Sequence, residues 1–119
     1  MSCEAKTLAI VKSKSGAHIR LTVKQWEHIV TARPELGEFM KQILDAVENP
    51  DEVLEPPPKV KPQLHAIKRI PRLSEVGLSR NLVVVFREIS SREGFIITAF
   101  PISDRRKNRM YRLWLKQSS

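Results

Sequence analysis

Apolar side chains recur at helical spacing directly after Thr22. The Thr22 hydroxyl can accept a hydrogen bond from a free amide of the first turn, so it is a suitable N-cap. Pro34 ends this helix, because the residue before a proline avoids the helical region. The apolar positions of the predicted helix are Val23, Trp26, Ile29 and Val30.

A second helix is predicted to start at Pro34, since proline suits the first position of a helix. Its apolar residues fall at i, i+3 and i+4, which is the pattern of an amphipathic helix with one face in a core. The helix ends near Asn49 and Pro50. The apolar stripe consists of Leu36, Phe39, Met40, Ile43, Leu44 and Val47.

Short apolar runs predict strands before and after the two helices. Two runs flank the polar turn at residues 90–94, which is typical of a β-hairpin. Residues 56–62 contain four prolines and therefore predict an extended loop. The predicted strands cover residues 8–11, 18–23, 53–55, 65–70, 82–86 and 95–100, with a loop at residues 71–80.

Helices followed by successive antiparallel strands predict an α+β fold with the helices on one face of a sheet. The length of 119 residues favours one domain, residues 1–119, with a core at about residues 8–101. A basic segment at residues 104–116 follows and is predicted to form a short helix. Its apolar residues are Met110, Leu113 and Trp114.

Charge is distributed unevenly along the chain, which has a net charge of +8. Residues 24–55 contain eight acids and three bases, a net charge of −5, and the remainder contains 18 bases and five acids, a net charge of +13. A positive field of this kind favours polyanions, nucleic acids above all. Membrane surfaces and acidic proteins remain open as partners.

A single cysteine, Cys3, excludes an internal disulfide and a cysteine zinc site. This suits the cytoplasm, and no stretch approaches the roughly 20 apolar residues that span a bilayer. The first ten residues do not resemble a signal peptide. The chain lacks a phosphate-binding GxxxxGK[ST] loop, and its three histidines are scattered, so neither a metal nor an organic cofactor is expected.

Three short motifs resemble those of the barnase–EndoU–colicin–RelE-like ribonucleases of bacteria and phages. They are Trp26-Glu27-His28-Ile29, Arg33-Pro34-Glu35-Leu36 and the strand end Ile97-Thr98-Ala99-Phe100. The resemblance covers roughly residues 20–101 and implies two N-terminal helices on a four-stranded antiparallel sheet. The implied activity is RNA cleavage, often by a toxin that an antitoxin or immunity protein holds inactive.

Metal-free RNA cleavage needs a base for the ribose 2′-hydroxyl, an acid for the leaving 5′-oxygen and cations for the phosphate. The resemblance makes His28 the first candidate for acid or base, and Thr98 a candidate to bind the scissile phosphate. Each also has an ordinary role, His28 as a helix-surface residue and Thr98 as a strand former. Where the family has arginine then histidine before Pro-Glu, this chain has Ala32 and Arg33, a departure that favours an altered or inactive site.

Basic residues on the predicted strands are further candidates for the phosphate. Lys68 and Arg69 alternate, so they lie on opposite faces, and one of them is predicted to face the substrate. Arg87 is placed to reach the phosphate or to pair with a neighbouring glutamate, and Arg33 to bind phosphate beside His28. His65 is the reserve base, and Glu35 and His18 carry little weight.

The C-terminal segment is predicted to bind RNA phosphates through its bases, while Tyr111 and Trp114 can stack on unpaired bases. The same pattern fits an amphipathic helix with its bases in water. The bases in question are Arg105, Arg106, Lys107, Arg109, Arg112 and Lys116.

Three functions therefore remain open for this sequence. The first is a metal-independent endoribonuclease of toxin type. The second is a non-catalytic RNA-binding module on the same fold, and the third is an interaction protein whose basic face binds an acidic partner. In the third case the acidic stretch of residues 24–55 could pair with the basic face of another copy.

Overall fold

The computed structural model describes residues 6–56 and 63–118 of the chain. The predicted proline-rich loop therefore lies mostly outside the described residues. The helices are α1 Val23–Ala32, α2 Met40–Glu48 and α3 Asp104–Ser118, with short 3₁₀ segments at Pro34–Glu38 and Pro71–Val76. The strands are β1 Thr7–Lys12, β2 His18–Thr22, β3 Glu52–Leu54, β4 Leu64–Arg69, β5 Asn81–Glu88 and β6 Glu93–Ile102.

The six strands form one sheet in the order β1-β2-β6-β5-β4-β3. Four of the five neighbouring pairs are antiparallel, and β2 runs parallel to β6 with Ile19 opposite Gly94. This parallel pair joins the N-terminal hairpin β1–β2 to the rest of the sheet. It brings residues from the two ends of the sequence into one surface.

Strand β5 lies at the centre of the described core, because every residue from Asn81 to Phe86 is buried. Its side chains alternate between two apolar clusters, as the two faces of a strand require. Leu82, Val84 and Phe86 belong to the first face, and Val83 and Val85 to the second. A strand that is apolar on both faces needs cover on both sides of the sheet.

The first face of the sheet is covered by α1 and α2. Thr22 caps α1 as predicted, since its Oγ1 accepts a 3.2 Å hydrogen bond from the backbone N–H of Gln25. Ile29 of α1 and Ile43 of α2 are fully buried in the first cluster. The predicted second helix is interrupted, because residues 34–38 form the 3₁₀ segment and Phe39, at φ −117°, separates it from α2.

The second face is covered in part by α3. Met110 packs against the second cluster, which includes Ile67, Val83 and Ile102. The first turn of α3 is fixed by polar contacts, since Asp104 accepts a hydrogen bond from Asn81 at 2.7 Å and pairs with Arg69 at 3.3 Å.

Tight backbone contacts shape the end of the sheet where β2, β5 and β6 meet. A Cβ atom on Gly94 would lie 2.2 Å from the carbonyl oxygen of Arg87 and 2.8 Å from Cδ1 of Ile19. No side chain fits there without moving the backbone. Glycine therefore allows β6 to approach the backbone of β5 and the side chain of Ile19 on β2 closely.

The predicted α+β class, the first helix and the β5–β6 hairpin are confirmed, and the second helix is confirmed over Met40–Glu48 only. The predicted four-stranded antiparallel sheet is wrong, because the sheet has six strands and is mixed. The sheet thus has two strands more than predicted. The short runs seen in the sequence as β1, β2 and β3 all join it through backbone pairing. The helices also occupy both faces, since α3 packs opposite α1 and α2.

Candidate functional site

The second face of the sheet has a covered half and an open half. Lys107 of α3 pairs with Glu52 of β3 at 2.7 Å, so the helix extends from the end of β6 toward the β3 edge. On the opposite edge, the β1 side chains of Leu8 and Ile10 are 46% and 54% exposed. The open half of this face, toward β1 and β2, is the candidate site.

One row of side chains crosses β4, β5 and β6 on this face. Val85 pairs with His65 on one side and with Thr98 on the other, and paired residues of antiparallel strands point to the same face. His65 and Thr98 are both partly buried. Because neighbouring strands lie about 4.8 Å apart, the two residues are separated by roughly 10 Å, on either side of the buried Val85.

Burial changes the acid–base behaviour of His65. The partly buried ring is removed from water, and this desolvation lowers the pKa of His65 from its ordinary value of 6.5. The imidazole is therefore neutral at pH 7 and can accept a proton.

Arg87 is a cation that lies beside this row. It follows Val85 by two positions on β5, so it points to the same face. Its guanidinium carbon lies 6.0 Å from the centroid of the Phe95 ring. Its Nε is buried and has no hydrogen-bond partner among the described residues, which leaves a donor for a bound group.

Lys68 and Arg69 lie on opposite faces, as their alternation predicts. Lys68 points to the helix side, where its Nζ contacts Asp45 at 3.0 Å and the carbonyl oxygen of Asn49 at 2.7 Å. A hydrogen bond from Asn49 and then the contact with Lys68 lower the pKa of Asp45. Arg69 shares the second face but pairs with Asp104 at the far end of the covered half. The structure therefore does not bring Lys68 together with Thr98.

His28 and Arg33 lie on the helix side of the sheet. His28 is exposed on α1, which packs on the first face through Ile29, whereas Thr98 belongs to the second face. Arg33 is also exposed and ends α1 with a backbone N–H bonded to the carbonyl of Ile29. The structure does not bring these two residues next to Thr98 and Arg87, and their predicted roles stay predictions.

The bases of α3 form a separate basic surface. Arg105, Arg106, Arg109 and Arg112 are exposed, whereas Lys107 is engaged with Glu52. Spacings of three, four and seven residues place three of the arginines along one side of the helix. They line a surface cleft of about 320 Å³ with the lining residues Arg105, Asn108, Arg109 and Arg112.

Two residues of the open half were missed in the sequence. Arg20 pairs with Phe95 across the parallel strands, so both point to the face that carries Thr98. The signal in the sequence was the alternation of Arg20 with the buried Ile19 and Leu21, which assigns it to the opposite face of β2. Its meeting with Phe95 depends on the β2–β6 pairing, for which the sequence has no local signal.

Two other features are absent from the described ranges, 6–56 and 63–118. No three residues among histidine, cysteine, aspartate and glutamate lie close enough there to hold a metal ion. None of the helices formed by these residues is long and apolar enough to span a membrane.

Residues 4–115 match the family described as phage-Barnase-EndoU-ColicinE5/D-RelE like nuclease2. The chain therefore belongs to this nuclease-like family, as the resemblance of its short motifs predicted. Comparison with curated proteins and with solved structures finds no match.

Proposed function

We propose that the protein is a metal-independent endoribonuclease of toxin type whose reaction takes place on the second sheet face, where the row of His65 and Thr98 borders the open half. The observation that carries the proposal is the row in which His65 and Thr98 flank Val85, with Arg87 beside it. Membership of a nuclease family supports RNA as the substrate.

Each of these groups has a chemical role in the proposed reaction. The neutral imidazole of His65 removes the proton of the ribose 2′-hydroxyl, which then attacks the neighbouring phosphorus. The guanidinium of Arg87 and the hydroxyl of Thr98 bind the phosphate oxygens, whose charge grows in the transition state. The 5′-oxygen leaves as the P–O bond breaks, and water protonates it. The products are a 2′,3′-cyclic phosphate and a free 5′-hydroxyl.

His28 is the competing acid or base, and the family motif supports it. The two histidines lie on different faces, so one pair of variants separates them. We expect His65→Ala to reduce kcat/KM by 10²- to 10⁴-fold, the usual contribution of a general base, and His28→Ala to have a small effect. Lys68→Met tests in the same way whether that lysine takes part.

The assay is cleavage of a 5′-labelled unstructured oligoribonucleotide in EDTA, with the folding of each variant checked by circular dichroism. Loss of cleavage in His28→Ala but not in His65→Ala would show that His28 on α1, and not His65, is the catalytic acid or base. Intact RNA with the wild-type protein would reject the enzyme altogether.

A non-catalytic RNA-binding module is the second proposed function, and the presence of Arg33 at the family's histidine position favours it. It predicts binding without cleavage, with an affinity that falls steeply as salt rises. Binding that is insensitive to salt would contradict this function.

The toxin role also implies a protein partner. An acidic antitoxin or immunity protein would complement the exposed bases of the open face and of α3. Co-expression with the product of a neighbouring acidic open reading frame, followed by size-exclusion chromatography, tests for a stable complex. An interaction protein without RNA chemistry would bind such a partner, or a second copy, while leaving RNA intact and unbound.

A further inference from the structure

A second row of side chains crosses the open half, one step closer to the β5–β6 turn than the row of His65 and Thr98. Ile10 pairs with Arg20, Arg20 with Phe95, and Phe95 with Arg87. Paired residues share a face, so these four side chains form a continuous line from the β1 edge to the central strand β5. The line has an aromatic ring at its centre and a guanidinium on each side.

The Phe95 ring is held in place from one side. The guanidinium carbon of Arg87 lies 6.0 Å from the ring centroid, within the range of a cation–π contact. The ring itself is partly buried. A rigid, partly exposed aromatic ring on a sheet loses little conformational entropy when a flat group stacks on it.

The cations beside the ring are available to an anion. The Arg87 side chain has a buried Nε with no hydrogen-bond partner among the described residues. Arg20 forms a weak ion pair with Glu93 at 3.8 Å, and both side chains are well exposed, at 39% and 59%. Such an exposed pair contributes little and can give way to a phosphate.

We propose that Phe95 stacks on one unpaired RNA base while Arg20 and Arg87 bind the phosphates on either side of it, so that the substrate is single-stranded RNA. Bases in a duplex are stacked on each other and present no free face to an aromatic ring, whereas unpaired bases do. The proposal rests on the proposed function for its ligand class and extends it to the secondary structure of the RNA.

The two rows are spaced to act on one strand. Arg87 lies two residues from Val85, a separation of about 7 Å along the strand, which is on the scale of one nucleotide. A base held on Phe95 therefore places the next phosphate at the neighbouring row, beside the partly buried Thr98. In this arrangement Phe95 positions the substrate and does not take part in bond cleavage.

Binding to a non-cleavable RNA tests the proposal apart from catalysis. The probe is a fluorescein-labelled 2′-O-methyl oligonucleotide of 12 nucleotides in EDTA, unstructured or annealed to its complement, followed by anisotropy. We expect Phe95→Leu, which keeps an apolar side chain, to weaken single-strand binding roughly 5- to 150-fold. Duplex binding should stay unchanged, and Phe95→Trp should bind the single strand at least as tightly as the wild type.

Two further variants guard against loss of structure. Arg20→Gln is compared with Lys24→Gln, an exposed residue of α1 with the same charge change, and only Arg20→Gln should weaken binding. Phe95→Trp should also show tryptophan quenching with single-stranded RNA beyond that of the wild type. The urea midpoint of unfolding is measured for each variant, and affinities are compared only under conditions in which all variants are equally folded.

The outcomes separate this inference from the proposed function. If the wild-type protein cleaves RNA and Phe95→Leu binds the single strand as tightly as the wild type, the nuclease function stands and the stacking is overturned. Single-strand binding that depends on Phe95, without cleavage of ordinary RNA, supports the stacking and overturns the enzyme. Equal loss of single-strand and duplex binding in Phe95→Leu also overturns the inference.

Discussion

The side-chain amide of Asn81 donates a 2.7 Å hydrogen bond to Oδ1 of Asp104 and so ties the first turn of α3 to the central strand of the sheet. Asn81 is one of the few buried polar residues described, and its exposed fraction is 3%. This bond is the largest cause that lowers the pKa of Asp104, ahead of the pairing with Arg69. The anchor of α3 therefore depends on an ionised carboxylate.

Asn81→Ala is expected to lower the urea midpoint of unfolding at pH 7, since the charge-assisted bond to Asp104 is lost. A carboxylate whose pKa is lower in the folded state stabilises the fold above its unfolded pKa of 3.8 and loses that contribution as pH falls below it. The difference between wild type and variant should therefore shrink below about pH 3.8. A difference that is constant between pH 7 and pH 3 would contradict the assignment of the effect to Asp104.

Gly94→Ala is expected to destabilise the protein by about 1–3 kcal/mol, the usual effect of forcing an extra methyl group into a packed site. The new Cβ would meet the backbone oxygen of Arg87, which cannot move alone. Gly37→Ala is the matched control, because its Cβ meets nothing within 4 Å and its φ is ordinary. The measurement is the free energy of unfolding in urea, and equal values for the two variants would refute the close approach.

The pH profile of kcat/KM reports on His65. Burial lowers its pKa below 6.5, so the base is neutral at pH 7 and becomes protonated only at lower pH. The acid limb of the profile should therefore lie below pH 6.5 and be absent from the residual activity of His65→Ala. The folded state also disfavours the imidazolium, so the free energy of unfolding should fall as pH drops below 6.5. An acid limb above pH 6.5 would assign the base to another residue.

The arginines of α3 are expected to bind RNA phosphates without reading the sequence or the strandedness of the RNA. Arg105→Ala combined with Arg109→Ala should reduce the slope of log affinity against log salt by about 1.4 for a single strand, from two lost phosphate contacts. Lys24→Ala combined with Lys41→Ala removes the same charge from exposed helix-side positions. Equal slopes for the two double variants would exclude a specific role of α3.

The helices and the hairpin could be predicted because their signals are local. The apolar stripes, the cap at Thr22 and the runs at residues 82–86 and 95–100 each lie within one element. The mixed sheet could not be predicted, since the parallel pairing of β2 with β6 joins segments that two helices and three strands separate. The third helix was expected from its apolar residues. The sheet face on which it packs depends on ion pairs of Asp104 with Arg69 and of Lys107 with Glu52, and both partners are distant in sequence.

The candidate site was predictable only in part for the same reason. Thr98 and Arg87 were identified in the sequence, and the structure places both on the open half of one face. The neighbours Arg20 and Phe95 depend on the parallel pairing. The alternation of Lys68 and Arg69 along β4 predicted that they face opposite sides of the sheet. It could not predict which of the two sides is open to a substrate.

The parallel joint between β2 and β6 has a consequence for the order in which the protein becomes functional. Contacts between distant segments form slowly, because a long loop must close before they gain any stabilisation. During synthesis, α1, α2 and the β1–β2 hairpin leave the ribosome long before β6. Arg20 therefore cannot pair with Phe95 until residue 95 has emerged. A chain that ends before residue 95 lacks both Phe95 and Thr98, so neither row of the second face can assemble on it.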